Sequence, residues 1–263
     1  MIVEYPKDKY EDLLPLFSNH KYLTITINSI LKEKEGDVFV DNIDNPQIAL
    51  LSFKVLEFIV GDSENEHAEE LLKYVVENRM LLFPDDKWLE LVKDKLVLSP
   101  YPRTKFSSEK LSIERCNEIL EQKLPEGFIL EKVDSKTIQK LNPKLAPGFL
   151  PFFKTPEEFE TKGLGYCIKE SDYVVSMAGS SMPIHDNKFD IQAITDPAPR
   201  FRRKGFASIA TAALIKESLE KGITPFWDAD NEISSKFAIK LGFVKPESYT
   251  AYICSKNKLR EKK

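Results

Sequence analysis

One short stretch of the sequence combines the residue types that bind phosphate groups. Residues 200–207 read Arg-Phe-Arg-Arg-Lys-Gly-Phe-Ala and stand between a strand-like run and a long apolar helix pattern. A helix that begins near Phe206 exposes backbone N–H groups with partial positive charge, and Gly205 allows a tight turn and the close approach of a ligand. Positive side chains beside these groups are Arg202, Arg203 and Lys204. The stretch predicts an anion cradle for a phosphate or pyrophosphate, with a solvated basic turn as the alternative.

The surrounding sequence narrows the kind of phosphate site. Ala207 and Ser208 keep the first helical turn uncrowded. The loop is neither a Walker A loop nor a Rossmann fingerprint, because GxxxxGK[ST] and GxGxxG are both absent. Further along, Asn231 follows the strand-like run 224–227 and caps a helix that Gly242 ends.

This arrangement resembles the GNAT superfamily of acetyl-CoA-dependent N-acetyltransferases. The family's pyrophosphate loop, Gln/Arg-x-x-Gly-x-Gly/Ala, is matched by Arg202, Gly205 and Ala207. Its later Asn-to-Gly-Phe element is matched by Asn231, Gly242 and Phe243. The resemblance covers about residues 127–255, and the segment 224–231 is similar to a bacterial branch that includes zwittermicin-resistance-type acetyltransferases.

The resemblance implies a mixed, splayed β-sheet flanked by helices, with acetyl-CoA (coenzyme A) bound in the splay as co-substrate. Pyrophosphate contacts would come from Arg202 and from the backbone of Arg203, Lys204, Gly205, Phe206, Ala207 and Ser208. The pantetheine arm would lie beside Ile194 and Thr195 and would contact Asn231. The acceptor would be the amine of a small molecule or peptide.

Acetyl transfer requires a base for the attacking amine and an acid for the leaving thiolate. Many family members place a tyrosine four residues before the glycine of Gly-Phe, but Ala238 occupies that position here. Tyr252 is the candidate acid, because it shares the more polar face of the last strand. Asp190 is a candidate base, with an ordinary strand-surface charge as the alternative. The missing tyrosine leaves open a second function, a catalytically inactive GNAT-like module that binds coenzyme A as a structural or sensing ligand.

Hydrophobic periodicity predicts an α+β (α/β-like) chain with two domains. A smaller α+β domain without a cofactor motif is expected over residues 1–125, and a GNAT domain over 126–263. The first half shows helix, helix, strand, strand and helix, including a strand over Ala49–Val60 and a helix over about Glu66–Glu77, and resembles a degenerate copy of the second. Ser99–Ser108, which contains two prolines, is expected to be a loop or extended chain.

The acidic residues after Val60 would repel pyrophosphate, so we expect one cofactor site per chain, in the second half. The first half would form one wall of the acceptor site or a contact in a homodimer.

The composition excludes several classes of protein. Of the 263 residues, 42% are hydrophobic and 30% are charged, which is typical of a globular protein and not of a disordered one. A net charge of −4 argues against a nucleic-acid partner. The three cysteines lack metal-ligand or disulfide spacing, so we expect no metal and a reducing, cytoplasmic location. The longest apolar stretch is broken by Lys54 and Glu57, which argues against a membrane span.

Overall fold

The computed structural model describes residues 1–149 and 152–259. The chain divides into two compact units, one formed by Met1–Arg103 with the C-terminal segment that begins at Ser248, the other by Thr104–Glu247. The boundary expected at residues 125 and 126 therefore falls inside the second unit. The physical reason is that Cys116 and Ile119, which precede that boundary, are buried in the same apolar core as Ile209 of the second unit.

The first unit is a sheet with short helices. Its elements in chain order are β1 (Val3–Glu4), α1 (Leu14–Phe17), α2 (Thr24–Lys32), β2 (Asp37–Val40), β3 (Ile48–Phe53), β4 (Leu56–Gly61), α3 (Ala68–Leu71), β5 (Met80–Leu82), α4 (Asp86–Val92) and the first part of β6 (Leu96–Ser107). Strands β1 to β4 pair in sequence order and antiparallel, β4 pairs parallel with β5, and β5 pairs antiparallel with the end of the last strand, β12 (Val244–Asn257).

The second unit has longer elements in a similar order. They are α5 (Ile113–Leu120), β7 (Phe128–Lys132), α6 (Ser135–Gln139), α7 (Pro156–Lys162), β8 (Gly165–Glu170), β9 (Tyr173–Ser180), β10 (Lys188–Thr195), α8 (Phe206–Glu220), β11 (Thr224–Ala229), α9 (Glu232–Leu241) and the start of β12. Strands β7 to β10 pair antiparallel in sequence order, β10 pairs parallel with β11, and β11 pairs antiparallel with the end of β6.

The two units repeat one topology. In each, a strand and helices are followed by three antiparallel strands, a helix, a parallel strand, a second helix and a long final strand. The main difference is the helix between the two parallel strands, which has 4 residues in α3 and 15 in α8. The expected degenerate copy therefore corresponds to the first unit.

Two local expectations in the first unit differ from the structure. The strand expected over Ala49–Val60 is a hairpin, because the chain turns at Lys54, whose φ is +53°. The helix expected over about Glu66–Glu77 shrinks to α3 and one 3-10 turn, Leu72–Tyr74, after which Val75 is extended. A third expectation, that the proline-containing stretch from Ser99 is a loop or extended chain, is met by β6, which is extended through Ser107.

Helix α8 is the central element of the second unit. Ten of its residues are buried, including Ile209, Leu214 and Ile215, so it is apolar on most of its circumference. A helix of this kind is expected where other elements cover both of its sides. It packs against β8 and β9 of the sheet and against α5, which fixes the position of its N-terminus.

Candidate functional site

Two neighbouring parallel strands separate in the middle of the second unit. β10 pairs with β11 from Lys188 to Asp190, opposite Thr224 to Phe226. From Ile191 onward β10 keeps only its partner β9, whereas β11 continues along β6. Within the described stretch 188–229 the strands therefore open after Asp190, which confirms the splayed sheet expected from the sequence.

The opening exposes one edge of β10. Ser181 N–H donates to the Asp190 carbonyl at 2.9 Å, and Asp196 N–H donates to the Val175 carbonyl at 2.8 Å. In an antiparallel ladder the residues that bond across to the partner alternate. The backbone polar groups of Ile191, Ala193 and Thr195 consequently point away from β9 and into the opening, where an extended ligand can pair with them.

The segment that follows β10 leads into the N-terminus of α8, and we call residues 196–205 the cofactor loop. Arg203 has φ +58° and Gly205 has φ +80°, so the backbone of the loop is in the left-handed region at two positions before α8 begins. No side chain caps α8, which leaves the backbone N–H groups of its first turn available. A Cβ atom built on Gly205 would meet only Gln122 Oε1, at 3.2 Å. The space beside Gly205 is thus open enough for an anion to approach the backbone.

Aromatic side chains anchor the middle of the cofactor loop and the first residue of α8, which follows it. Phe201 and Phe206 are buried, and their rings lie 6.3 and 4.7 Å from that of Phe128. Arg200 stacks over Phe201 and pairs with Glu170 at 2.9 Å. Phe206 is therefore a core anchor that offers only its backbone N–H to a ligand.

The basic side chains of the loop have different surroundings. Arg202 donates from Nε to the Pro197 carbonyl at 3.0 Å, so part of its guanidinium shapes the loop. Arg203 and Lys204 are exposed at the start of α8. These two cations and the helix N-terminus give the site its positive potential.

Lys240 adds a further cation to the anion cradle, next to Ser208. The sequence alone did not indicate this contact. The buried Ser208 hydroxyl accepts a hydrogen bond from Lys240 Nζ at 3.1 Å. The Lys240 carbonyl in turn accepts Arg115 Nε and Nη2 at 3.2 and 3.0 Å. The sequence placed Lys240 only at the end of a helix, and its approach to α8 follows from the packing of α9 against α8.

Asn231 has the capping geometry that its sequence position predicts. Its Oδ1 accepts Ser234 N–H at 2.9 Å at the start of α9, and its Nδ2 donates to Asp230 Oδ1 at 2.7 Å. Contact with a pantetheine arm remains a prediction for this residue.

Ile194 and Thr195 lie at the end of β10 but face opposite ways. The Thr195 hydroxyl is 2.8 Å from that of Ser176 on β9. Ile194 packs against the aromatic cluster under α6 and α7, and a Cβ on Gly148 would come within 2.1 Å of Ile194 Cδ1. Gly148 therefore packs directly against the end of the Ile194 side chain.

Asp190 is the last residue of the β10–β11 ladder and is half-buried. By strand alternation its side chain shares a face with Gln192 and Ile194, away from α8. The carboxylate thus stands where the two strands begin to separate, a position suited to a base. Glu232, in contrast, is exposed and paired with Lys236 at 2.7 Å, as expected of a first-turn surface acid.

Tyr252 lies in the first unit, whereas the cofactor loop lies in the second. It pairs with Leu81 on β5, and its ring is 5.9 Å from that of Phe83. Burial and the nearby Asp86 raise the pKa of its hydroxyl, so the group stays protonated at neutral pH. Tyr249 is buried and stacks on Tyr22, with ring centroids 3.9 Å apart.

Two classes of feature are absent from the described residues. No group of three or more His, Cys, Asp or Glu side chains in that part of the chain has an arrangement that holds a metal ion. Its helices are also either too short or too polar to span a bilayer.

Comparisons with known proteins connect this geometry to one family. Residues 14–252 match the family model described as GNAT acetyltransferase. An uncharacterised N-acetyltransferase of Bacillus subtilis is 26% identical over 266 residues, which cover 96% of this chain and 98% of that protein.

Solved structures share the architecture. A GCN5-related N-acetyltransferase-like protein from Streptococcus suis aligns with a TM-score of 0.77 and 24% identity, over 94% of this chain and 98% of that one. A tandem GNAT protein from the clavulanic acid biosynthesis pathway aligns with a TM-score of 0.56 and 11% identity, over 96% and 97%. The second similarity matches the repeated topology of the two units.

Proposed function

Because the chain belongs to the GNAT acetyltransferase family, we propose that it transfers an acetyl group from acetyl-CoA to the amine of a small molecule or peptide. The observation that carries the proposal is the opening between β10 and β11 next to the uncapped, basic N-terminus of α8. An extended thioester with a pyrophosphate at its far end is complementary to this pair of features. We further propose a cytoplasmic location, which suits three buried cysteines that form no disulfide.

The residues of the second unit fit the cofactor in three places. The N–H groups of residues 206–208 and the cations Arg203, Lys204 and Lys240 would hold the pyrophosphate. The exposed backbone edge of β10 from Ile191 to Thr195 would pair with the amides of the pantetheine arm. Arg202 would act mainly by shaping the loop, through its bond to the Pro197 carbonyl.

Acetyl transfer requires only a small catalytic contribution from any single side chain. Holding an amine and a thioester side by side removes much of the entropic barrier, a contribution of about 7–11 kcal/mol in well-oriented cases. Asp190, at the vertex of the opening, would accept the amine proton directly or through a water. The backbone N–H groups along β10 would donate to the oxygen that becomes negative during attack.

The proton for the departing thiolate would come from Tyr252 or from water, since Ala238 cannot donate one. Burial raises the pKa of Tyr252, so the hydroxyl carries its proton at neutral pH, although the same shift makes it a weaker acid. Tyr252→Phe should lower kcat by about 10²-fold, at the low end of general acid catalysis, with acetyl-CoA affinity unchanged. A rate equal to that of the parent protein would leave water as the acid.

Calorimetric titration with acetyl-CoA, followed by thiol release assayed with a panel of amines, tests the proposed activity. The double variant Arg203→Ala/Lys204→Ala should bind at least tenfold more weakly, and its affinity should depend less on salt than that of the parent protein because two charges are lost. Lys236→Ala removes an exposed lysine of α9 that pairs with Glu232 and serves as the matched control. Binding that is equal in the double variant and the control would refute the cradle.

The same titration separates the two candidate functions. Binding followed by amine-dependent thiol release supports the transferase. Binding of coenzyme A without release by any amine would favour the inactive, ligand-sensing module that the missing tyrosine permits.

A further inference from the structure

The most deeply buried carboxylate near the cofactor loop belongs to Asp196, which has no role in the transfer chemistry proposed above. It directly follows β10 and begins the loop. Only 1% of the residue is exposed. A buried carboxylate is costly unless donors surround it, so the groups that contact it indicate its purpose.

Three donors surround this carboxylate. Lys144 Nζ lies 3.0 Å from Oδ1 and 3.3 Å from Oδ2. The Tyr173 hydroxyl donates to Oδ2 at 2.5 Å, and Ala198 N–H donates to Oδ1 at 2.9 Å. Burial by itself would raise the pKa of Asp196, but these hydrogen bonds hold it below its usual range, so the group is ionised at neutral pH.

The donors come from three separate segments of the second unit. Lys144 belongs to the segment 142–149, which packs on Ile194 through Gly148. Tyr173 begins β9, and its ring also stacks on Phe201 at 6.1 Å. Ala198 lies inside the cofactor loop. The carboxylate therefore joins the loop to the start of β9 and to the segment 142–149.

We propose that Asp196 is a positioning residue that, with Lys144 and Tyr173, holds the cofactor loop in its pyrophosphate-binding conformation. The inference rests on the proposed function, because it assigns the device that prepares the same site. A loop fixed before binding loses less conformational entropy when the ligand arrives, so affinity depends on the anchor although the anchor does not touch the ligand. The link through Lys144 also couples the loop to the segment 142–149.

Four variants isolate the anchor. Asp196→Asn keeps an acceptor for Ala198 and loses the ion pair, and Lys144→Met removes the cation. Lys144→Arg retains a charge that can reach the carboxylate and should restore function. Tyr173→Phe removes one donor but keeps the aromatic contact with Phe201, so it should have the smallest effect of the deletions.

Titration with coenzyme A is the first measurement, and pantetheine, which lacks the phosphates, is the comparison ligand. Asp196→Asn and Lys144→Met should weaken coenzyme A binding by about tenfold or more, as expected when a charge-assisted contact is lost. Pantetheine binding should change by less than twofold, and Lys144→Arg should approach the parent affinity. A general loss of structure would instead affect both ligands equally.

Limited trypsin digestion of the free protein gives a second, ligand-independent measurement. Trypsin can cut after Arg200, Arg202, Arg203 and Lys204, so release of the loop should speed cleavage there in Asp196→Asn. Folded variants with unchanged coenzyme A affinity and unchanged cleavage would overturn the inference. If the parent protein itself fails to bind coenzyme A, the proposed function fails, and the cleavage rates still decide whether Asp196 holds the loop.

Discussion

The basic residues of the cofactor loop have different surroundings although they are neighbours in sequence. Arg200 pairs with Glu170 and Arg202 bonds to the Pro197 carbonyl, so both stabilise the loop. All four are exposed, and Arg203 and Lys204 directly precede the N-terminal turn of α8. A sequence pattern of four basic residues therefore separates into two that build the site and two that are placed to meet a ligand.

Gly205→Val tests whether the backbone at the start of α8 contacts the cofactor. A φ of +80° costs a branched side chain about 1–2 kcal/mol, and the new methyl groups would occupy the open space beside the N–H groups. We expect the protein to fold, because the nearest atom is the end of the flexible Gln122 side chain, but to bind acetyl-CoA at least tenfold more weakly.

The matched control for that change is Gly222→Val. Gly222 has φ +68° and no atom within 4 Å of a built Cβ, so the substitution brings similar backbone strain beyond the other end of α8. Thermal unfolding should show comparable destabilisation of the two variants, whereas acetyl-CoA affinity should fall only for Gly205→Val. If the two variants bind acetyl-CoA with equal affinity, Gly205 does not belong to the binding site.

Lys240→Met tests the cation that the structure adds to the cradle. Loss of a charge next to Ser208 should weaken acetyl-CoA binding by roughly three- to tenfold, and the loss should shrink as salt is raised. Lys236→Met, one turn earlier on α9, is the control and should bind as the parent protein does. The contrary result, a fall of the same size in the two variants, would indicate a general effect of net charge.

At the scale of elements, the two ends of α8 are fixed by different means. The N-terminus is left uncapped beside the cofactor loop. Near the C-terminus, Glu217 accepts from Lys132, Lys221 and Tyr166 at 2.5, 2.6 and 2.7 Å. The polar cluster ties α8 to β7 and β8, so the helix keeps its position while its first turn stays available to a ligand.

This cluster predicts a pH dependence of stability. Burial would raise the pKa of Glu217, but the hydrogen bonds from its partners lower it from 4.5 to about 2. Because the folded pKa is depressed, the carboxylate stabilises the protein above pH 4.5, and the contribution is lost as the pH falls toward 2. Glu217→Gln should therefore destabilise the protein by about 1–3 kcal/mol at pH 7 and by much less near pH 2.

Urea unfolding of the parent protein and of Glu217→Gln at several pH values measures this dependence. Glu220→Gln, an exposed position on the same helix, is the control. The prediction fails if the difference between parent and Glu217→Gln stays constant across the acid range.

The sequence predicts elements best where the pattern is local. α8 and the Asn231 cap of α9 appear where expected, because an apolar helix pattern and a capping side chain act within a few residues. The strand β5 was missed because three residues are too few to show a period. Lys240 and Asp196 were missed for another reason, since their partners lie 32 and up to 52 residues away and only the fold brings them together.

At the scale of the whole chain, each unit includes a strand segment from the other half of the sequence. Tyr252 and Ile253 of β12 pair with β5 in the first unit, and residues 104–106 of β6 pair with β11 in the second. This exchange explains why a cut at residue 125 does not describe the units. A fragment that begins at residue 126 would lack β6, the strand that pairs with β11.

The repeated topology raises the question of how many cofactors one chain binds, and we expect one. The position that corresponds to the cofactor loop and α8 follows β4 in the first unit. There the chain supplies Asp62, Glu64, Glu66, Glu69 and Glu70 and a helix of only 4 residues. A helix that short has almost no dipole to offer, and the five carboxylates oppose an anion. Calorimetry with acetyl-CoA should give a stoichiometry of one per chain in the parent protein and no residual binding in Gly205→Val at micromolar concentrations. Two comparable sites in the parent, or one intact site remaining in the variant, would show that the first unit also binds the cofactor despite its acidic loop.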